Sequence, residues 1–232
     1  DALEAADADL ILTQELCAVC AVGYREVNDA VKALELDTTV ISLEPTSVEG
    51  ILNTIATVGA MAEAEDAAVE LVESLRARLG AIEAKAQERR EAGFVGPRVV
   101  GLEWLDPPFA VGHWVPDQIR RAGGWDLLGQ DGGPARPTTW DAVAEVDPDL
   151  LLLMPCGYHL RETVDEWSRT ARPEWFADLA AVQRGQLIAL DGSSYFSRPG
   201  PRVVDGIEML AEIFDPDAFR DPSTATGWTP IA

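Results

Sequence analysis

The chain has 232 residues, 47% of them hydrophobic, which is enough for one large domain or two small ones with packed cores. Forty acidic against eighteen basic residues give a formal charge of −22, which repels nucleic-acid phosphates and anionic lipid surfaces and makes both poor partners. No apolar run approaches the roughly eighteen residues that direct membrane insertion needs.

The first residues, Asp1-Ala2-Leu3-Glu4-Ala5-Ala6-Asp7, read as the middle of a helix with no start signal and no signal peptide. The expectation is that part of the first lobe, with any export signal, precedes Asp1. Leu10-Ile11-Leu12-Thr13 then predicts a short buried strand of parallel type after the acidic turn Asp7-Ala8-Asp9. The same unit recurs at Leu150-Leu151-Leu152-Leu153-Met154, after Asp147-Pro148-Asp149. A short alanine-rich helix leads into each, at Leu3 to Ala6 and Trp140 to Val146, and a thiol-bearing loop follows each, Gln14-Glu15-Leu16-Cys17 and Pro155-Cys156-Gly157-Tyr158-His159. A repeated α/β unit in the two halves suggests two similar lobes.

Thr46-Ser47-Val48-Glu49 has capping-box spacing and opens a helix. A longer helix is predicted from about Ala64 to Glu91, with Ala64, Ala67, Ala68, Leu71, Val72, Leu75, Leu79, Ile82 and Ala86 forming one apolar stripe. It would be roughly 40 Å long. Gly93, Gly96 and Pro97 end it. The predicted architecture is α/β: two lobes with mainly parallel sheets, residues 1–62 and 97–232, joined by one rigid linking helix within 63–96, with the ligand cleft between them. A stiff link of this kind allows the lobes little relative movement.

The second lobe starts with the strand Arg98 to Glu103, which runs into Trp104, a Pro107-Pro108 stop, and a loop holding Phe109, His113 and Trp114. Rigid aromatic faces at a strand's C-terminal end sit where open α/β sheets bind ligands, although either Trp also serves simply to cover a sheet edge. Trp114-Val115-Pro116-Asp117 opens a helix closed by Gly123-Gly124, and Thr138-Thr139 caps another. The strand Gln186 to Leu190 leads to Tyr195, Phe196 and Arg198 in a loop beside the first, making an aromatic wall with one cation. Two adjacent aromatics in a loop are not expected both to be core. Arg198 is read as pairing with a ligand carboxylate or amide, capping a helix end, or bridging to Asp191. Pro199-Gly200-Pro201 sets the first turn of the last helix, whose core face is Val203, Val204, Ile207, Leu210 and Ala211. Residues 215–232 read as an irregular tail.

Cys17-Ala18-Val19-Cys20 has the spacing of a metal knuckle or redox pair, and also of incidental structural cysteines. With Cys156 and His159 after the matching strand, Cys17 and Cys20 form a candidate metal-accepting set across the cleft, and this carries the alternative function of a chelatase-like metal or redox protein. The total of three cysteines leaves at least one outside any intrachain pair. No G-x-S-x-G, H-E-x-x-H, P-loop or G-x-G-x-x-G is present, so no catalytic set assembles and the chain is not expected to be an enzyme.

Together these elements resemble the helix-linked class of substrate-binding proteins of ABC importers, which carry vitamin B12 and iron chelates. The resemblance is most specific in Glu103-Trp104-Leu105-Asp106-Pro107-Pro108, Gly112-His113-Trp114-Val115-Pro116, Asp147-Pro148-Asp149-Leu150 and Tyr195-Phe196-Ser197-Arg198-Pro199-Gly200-Pro201, which look like the actinobacterial cobalamin-binding branch. It implies capture of cobalamin or a similar corrinoid or metal chelate, delivery to a membrane permease docked by acidic residues on each lobe, an extracytoplasmic, cell-surface location, and no required cofactor. The implied ligand-binding set is Trp104, Phe109, His113, Trp114, Tyr195, Phe196 and Arg198, completed by Glu15 and Tyr158 in the loops after the two matching strands. The Cys17-x-x-Cys20 loop is a departure from the vitamin B12 carriers.

Overall fold

The structure, a computed structural model, describes residues 5–14, 24–34, 38–220 and 227–231. In the first lobe β1 (Leu10–Thr13) pairs in parallel with β2 (Thr39–Ser42), Leu10 opposite Thr39, and α1 (Tyr24–Ala33) connects them. Parallel neighbours need such a crossover because a tight turn cannot reverse the chain twice. The thiol loop predicted after β1, with Glu15, Cys17 and Cys20, lies outside the described residues.

Two helices follow. α2 (Val48–Met61) is capped by Ser47, whose hydroxyl accepts the Gly50 N–H at 3.0 Å, so the cap falls one residue later than the Thr46–Glu49 box implied. α3 (Glu65–Glu91) is the long helix, with Ala68, Val72, Leu75, Leu79, Ile82 and Ala86 buried. Leu71 and Ala67, predicted within the same stripe, are exposed. The buried residues recur at intervals of three and four, the true inward face, and Leu71 lies just off it.

The second lobe is built on one mixed sheet. Among the described residues its strands are β3 (Arg98–Leu105), β4 (Pro108–Ala110), β5 (Trp125–Asp126), β6 (Arg136–Pro137), β7 (Leu150–Leu153), β8 (Leu187–Leu190) and β9 (Trp228–Pro230), in the order β6-β4-β3-β7-β8-β9, with β5 also on β3. The β3-β7-β8 centre is parallel. Its side chains alternate between two cores: Val99, Leu150, Leu152, Ile188 and Leu190 face one side, and Val100, Leu102, Leu151, Leu153 and Leu187 the other. Burial on both faces is why four consecutive leucines occur in β7, each contributing about 1.5–3 kcal/mol of transfer free energy. The second face is covered by α5 (Trp140–Glu145), α6 (Leu160–Arg169), a 3₁₀ turn (Glu174–Asp178) and α7 (Ala180–Gln183), where Trp140, Trp167 and Phe176 pack with centroids 5.2 to 6.1 Å apart.

The first face is covered by α4 (Val115–Arg121), α9 (Arg202–Phe214, after the short α8, Gly192–Tyr195), α3 and α2. Val48, Ile51 and Leu52 of α2, which the boundary at residue 62 assigns to the first lobe, thus share a core with Ile119, Val203 and Ile207. Asp117, 2% exposed, fixes this junction: its Oδ2 accepts the Val48 N–H at 3.0 Å, and its Oδ1 accepts Arg120 at 2.6 Å and Arg121 at 3.0 Å. A carboxylate at the N-terminal turn of α2 also meets the positive end of that helix. Along α3, Arg78 pairs with Asp205 and Glu208 of α9, and Arg89 with the buried Asp215 at its end.

Two sequence expectations fail here. The chain from Trp104 to Phe109 is not an open loop but a hairpin: the Asp106–Pro107 peptide is cis, and Phe109 returns opposite Trp104. The segment read as an irregular tail holds α10 (Pro216–Phe219) and β9, which pairs antiparallel with β8 through Ile188–Pro230 and Leu190–Trp228. A three-residue strand carries too little periodicity to announce itself, and its partner across the sheet supplies the stabilisation.

Candidate functional site

The C-terminal ends of β3, β7 and β8 deliver three loops to one rim, and a cavity of about 260 Å³ opens among them, facing Gln14 at the end of β1. From the β3 side come Glu103, Phe109, Gly112, His113, Trp114 and Val115; from β7, Met154 and Cys156; from β8, Phe196 and Ser197; Pro134 and Ala135 close one edge. The lining is chiefly apolar and aromatic with a few convergent polar groups, as small-molecule sites generally are.

The His113 loop is held by backbone geometry. His113 adopts φ 52°, its N–H donates to Gly133 O and its carbonyl accepts the Gly132 N–H, while Gln130 N–H donates to Val111 O at 3.0 Å. Gly112 lets the 133–135 segment approach this closely, because a Cβ there would run into Ala135 N. The loops after β7 and β8 are also tied together, by Ser193 N–H to Tyr158 O at 2.9 Å and Gly157 N–H to Ser197 Oγ at 3.2 Å.

The electrostatics centre on Glu103. Burial pushes its carboxyl up to about 6, opposed by the Gly112 N–H that donates to Oε2 at 3.3 Å. His113 is pushed down by burial, its Nδ1 enclosed without a partner among the described residues, as is Trp114 Nε1. Near neutral pH the cavity therefore holds a neutral imidazole and a carboxyl poised to take up a proton.

Of the sequence candidates, Phe109, His113, Trp114, Phe196 and Cys156 line this cavity. Trp114 and Phe196 are at once cavity wall and core, 4% and 3% exposed. Trp104 and Tyr158 do not line it: they form an edge-on pair outside, centroids 5.7 Å apart, with Trp104 Nε1 donating to Asp106 O at 3.1 Å. Phe196 is core, whereas Tyr195 is half-buried, packed against the outside of that core and against Gly227, and does not line the cavity. The Tyr195 backbone carbonyl accepts from Gln118 at the end of the short helix α8. Arg198 lines a second pocket together with His159. The candidate metal set is accordingly not assembled among the described residues: Cys156 faces one cavity and His159 the other, Cys17 and Cys20 lie outside the description, and no group of three His, Cys, Asp or Glu is placed to hold a metal. Among the described residues no helix is long and apolar enough to cross a membrane. Glu103, Gln14, Met154 and Ser197 also line the cavity, beyond the residues the sequence points to. Glu103 had a signal, an acid ending an otherwise apolar strand, whereas Pro134 and Ala135 arrive only through the tertiary fold.

Residues 18–193 match the family described as periplasmic binding protein. A search of curated sequences finds no significant match. Among solved structures, the chain is similar to a periplasmic heme binding protein from Pseudomonas aeruginosa, at 17% identity and a TM-score of 0.76 over 97% of this chain and 77% of that one. It is also similar to the periplasmic vitamin B12 binding protein BtuF of Vibrio cholerae, at 19% identity and 0.64 over 88% and 73%. The periplasmic heme-binding protein BhuT in complex with two hemes aligns at 20% identity and 0.68 over 91% and 76%.

Proposed function

The chain belongs to the periplasmic binding protein family, a family of substrate-binding transport proteins and not of enzymes, and on that footing we propose that it captures a macrocyclic metal chelate, cobalamin or a similar corrinoid, for an ABC importer. The observation that supports this is the rim cavity itself: aromatic walls from Phe109, Trp114 and Phe196 with Glu103 and His113 as the orienting polar groups. Solved relatives bind heme and vitamin B12, both metal macrocycles. A cavity of about 260 Å³ has room for roughly nine waters, less than a whole corrin, so the ligand inserts an edge and leaves the rest over the rim, against Trp104 and Tyr158. The lobes, near residues 1–62 and 97–232 with the linking helix within 63–96, hold the ligand between them and hand it to a membrane permease, docked through acidic residues of both. The location that goes with this role is extracytoplasmic, at the cell surface.

Titration with cyanocobalamin, followed by quenching of tryptophan fluorescence, tests the reading. Saturable binding at about micromolar affinity or tighter is expected. Hemin binding without any cyanocobalamin binding would overturn the corrinoid assignment while leaving a chelate carrier.

A further inference from the structure

Beside the rim cavity, and sharing the 156–159 and 193–198 loops with it, lies a second pocket lined by His159, Ser193, Ser194, Arg198, Gly200 and Arg202, with Pro201 at its edge. Both arginines are exposed, and neither makes a hydrogen bond or ion pair among the described residues. In a chain of net charge −22 that is notable, because carboxylates are abundant and most other arginines described have found one. The nearby acids are already engaged. Asp191 accepts the Ser194 N–H at 2.7 Å, the Ser194 hydroxyl at 3.0 Å and His159 Nδ1 at 3.1 Å, and Asp205 pairs with Arg78 at 2.6 Å.

Two further features converge on the same space. The thirteen-residue helix α9 begins here with Pro201 at its cap and no side-chain cap; the Val203 and Val204 N–H groups donate to Gly200 O and Pro201 O, so what the helix start presents to the pocket is the positive end of its dipole. Ser193 is 1% exposed and lines the pocket, and its hydroxyl makes no hydrogen bond among the described residues, leaving a nearly buried donor available to an occupant of the pocket. Two unpaired guanidinium groups, the positive end of a helix and a nearly buried hydroxyl are the complement of an oxyanion.

We propose that this pocket is an oxyanion subsite that takes a peripheral carboxylate or phosphate of the captured ligand. The proposal rests on the reading of the rim cavity as a chelate site, and extends it: the chelate carries at least one anionic arm, which passes over Ser197 into the second pocket while the ring edge occupies the first. It also gives Arg198 a role that its position outside the rim cavity otherwise leaves open.

The full chain is titrated with inorganic phosphate by calorimetry, and with two corrins that share one ring, dicyanocobyrinic acid and its heptamethyl ester, which differ in the charge of their side arms. The same titrations are run on R198Q/R202Q and on S193A, with thermal denaturation to establish that the variants fold. Phosphate binding and a preference for the acid over the ester are expected, both reduced roughly tenfold or more in the double arginine variant and less in S193A. Phosphate binding lost in the double variant, with neither corrin bound by any form, supports an oxyanion site but overturns its assignment to a corrinoid arm, and marks the corrinoid reading as the part that failed. If folded R198Q/R202Q retains the parent's phosphate affinity and acid preference, or if the parent shows neither, the subsite is overturned.

Discussion

Glu103→Gln is expected to stabilise the protein at neutral pH and to leave its stability nearly unchanged in acid. The carboxyl sits at the end of β3 within the cavity wall, and burial raises it from 4.5 to about 6. In the unfolded chain it ionises at its ordinary value, so the folded state holds the proton more tightly. Below about pH 4 both states are protonated and no difference arises; as pH rises through about 6 the folded state bears the cost of a poorly solvated carboxylate. A shift of about 1.5 units corresponds to roughly 2 kcal/mol, fully present above about pH 7. For a chain of this length that is about 4–8 °C in melting temperature. Glutamine keeps the acceptor for the Gly112 N–H and the side-chain volume, and so removes the ionisation alone. Asp126, raised to about 6 by burial against three backbone N–H donors, and His113, lowered by burial, titrate in both proteins and cancel in the difference. Denaturant unfolding of parent and variant at about pH 4 and about pH 7.5 measures the effect. A stability gain equal at the two pH values, or a loss at the higher one, would refute the burial of Glu103 as its cause.

Phe109→Ala, at a half-buried position of the rim, should weaken cyanocobalamin binding by roughly 1–3 kcal/mol with the fold intact, as read by fluorescence titration. Trp104→Ala should cost a comparable amount only if the ligand extends over the rim, since Trp104 is 38% exposed and outside the cavity; unchanged affinity would mean a ligand small enough to be enclosed. Gly112→Ala forces the 133–135 segment away from the His113 loop, and should lower both melting temperature and affinity; wild-type values for both would show that the segment yields freely. Because α3 spans 27 residues and is braced along α9 by Arg78 and Arg89, X-ray scattering with and without ligand should change little, and a large hinge rotation would contradict a rigid link.

Local pattern was enough for the α/β class, for the long helix, and for the central strands, because continuous apolar runs bounded by turn residues report burial on both faces whatever the partner. Leu150 to Leu153 and the spacing from Ala68 to Ala86 carried that information within a few residues of themselves. The aromatic and polar residues at strand ends were likewise legible as candidates, since ligand sites of such sheets gather there. Which of them line the cavity was not. Sequence makes Trp104 and Trp114 equivalent, yet a hairpin turns the first outward against Tyr158 while the start of α4 seats the second in the wall. The same holds for β9, for the attachment of α2 to the second lobe through Asp117, and for the approach of Ala135 to Gly112. Each depends on a partner between about 20 and 70 residues away, and periodicity records only that a side chain is buried, never against what.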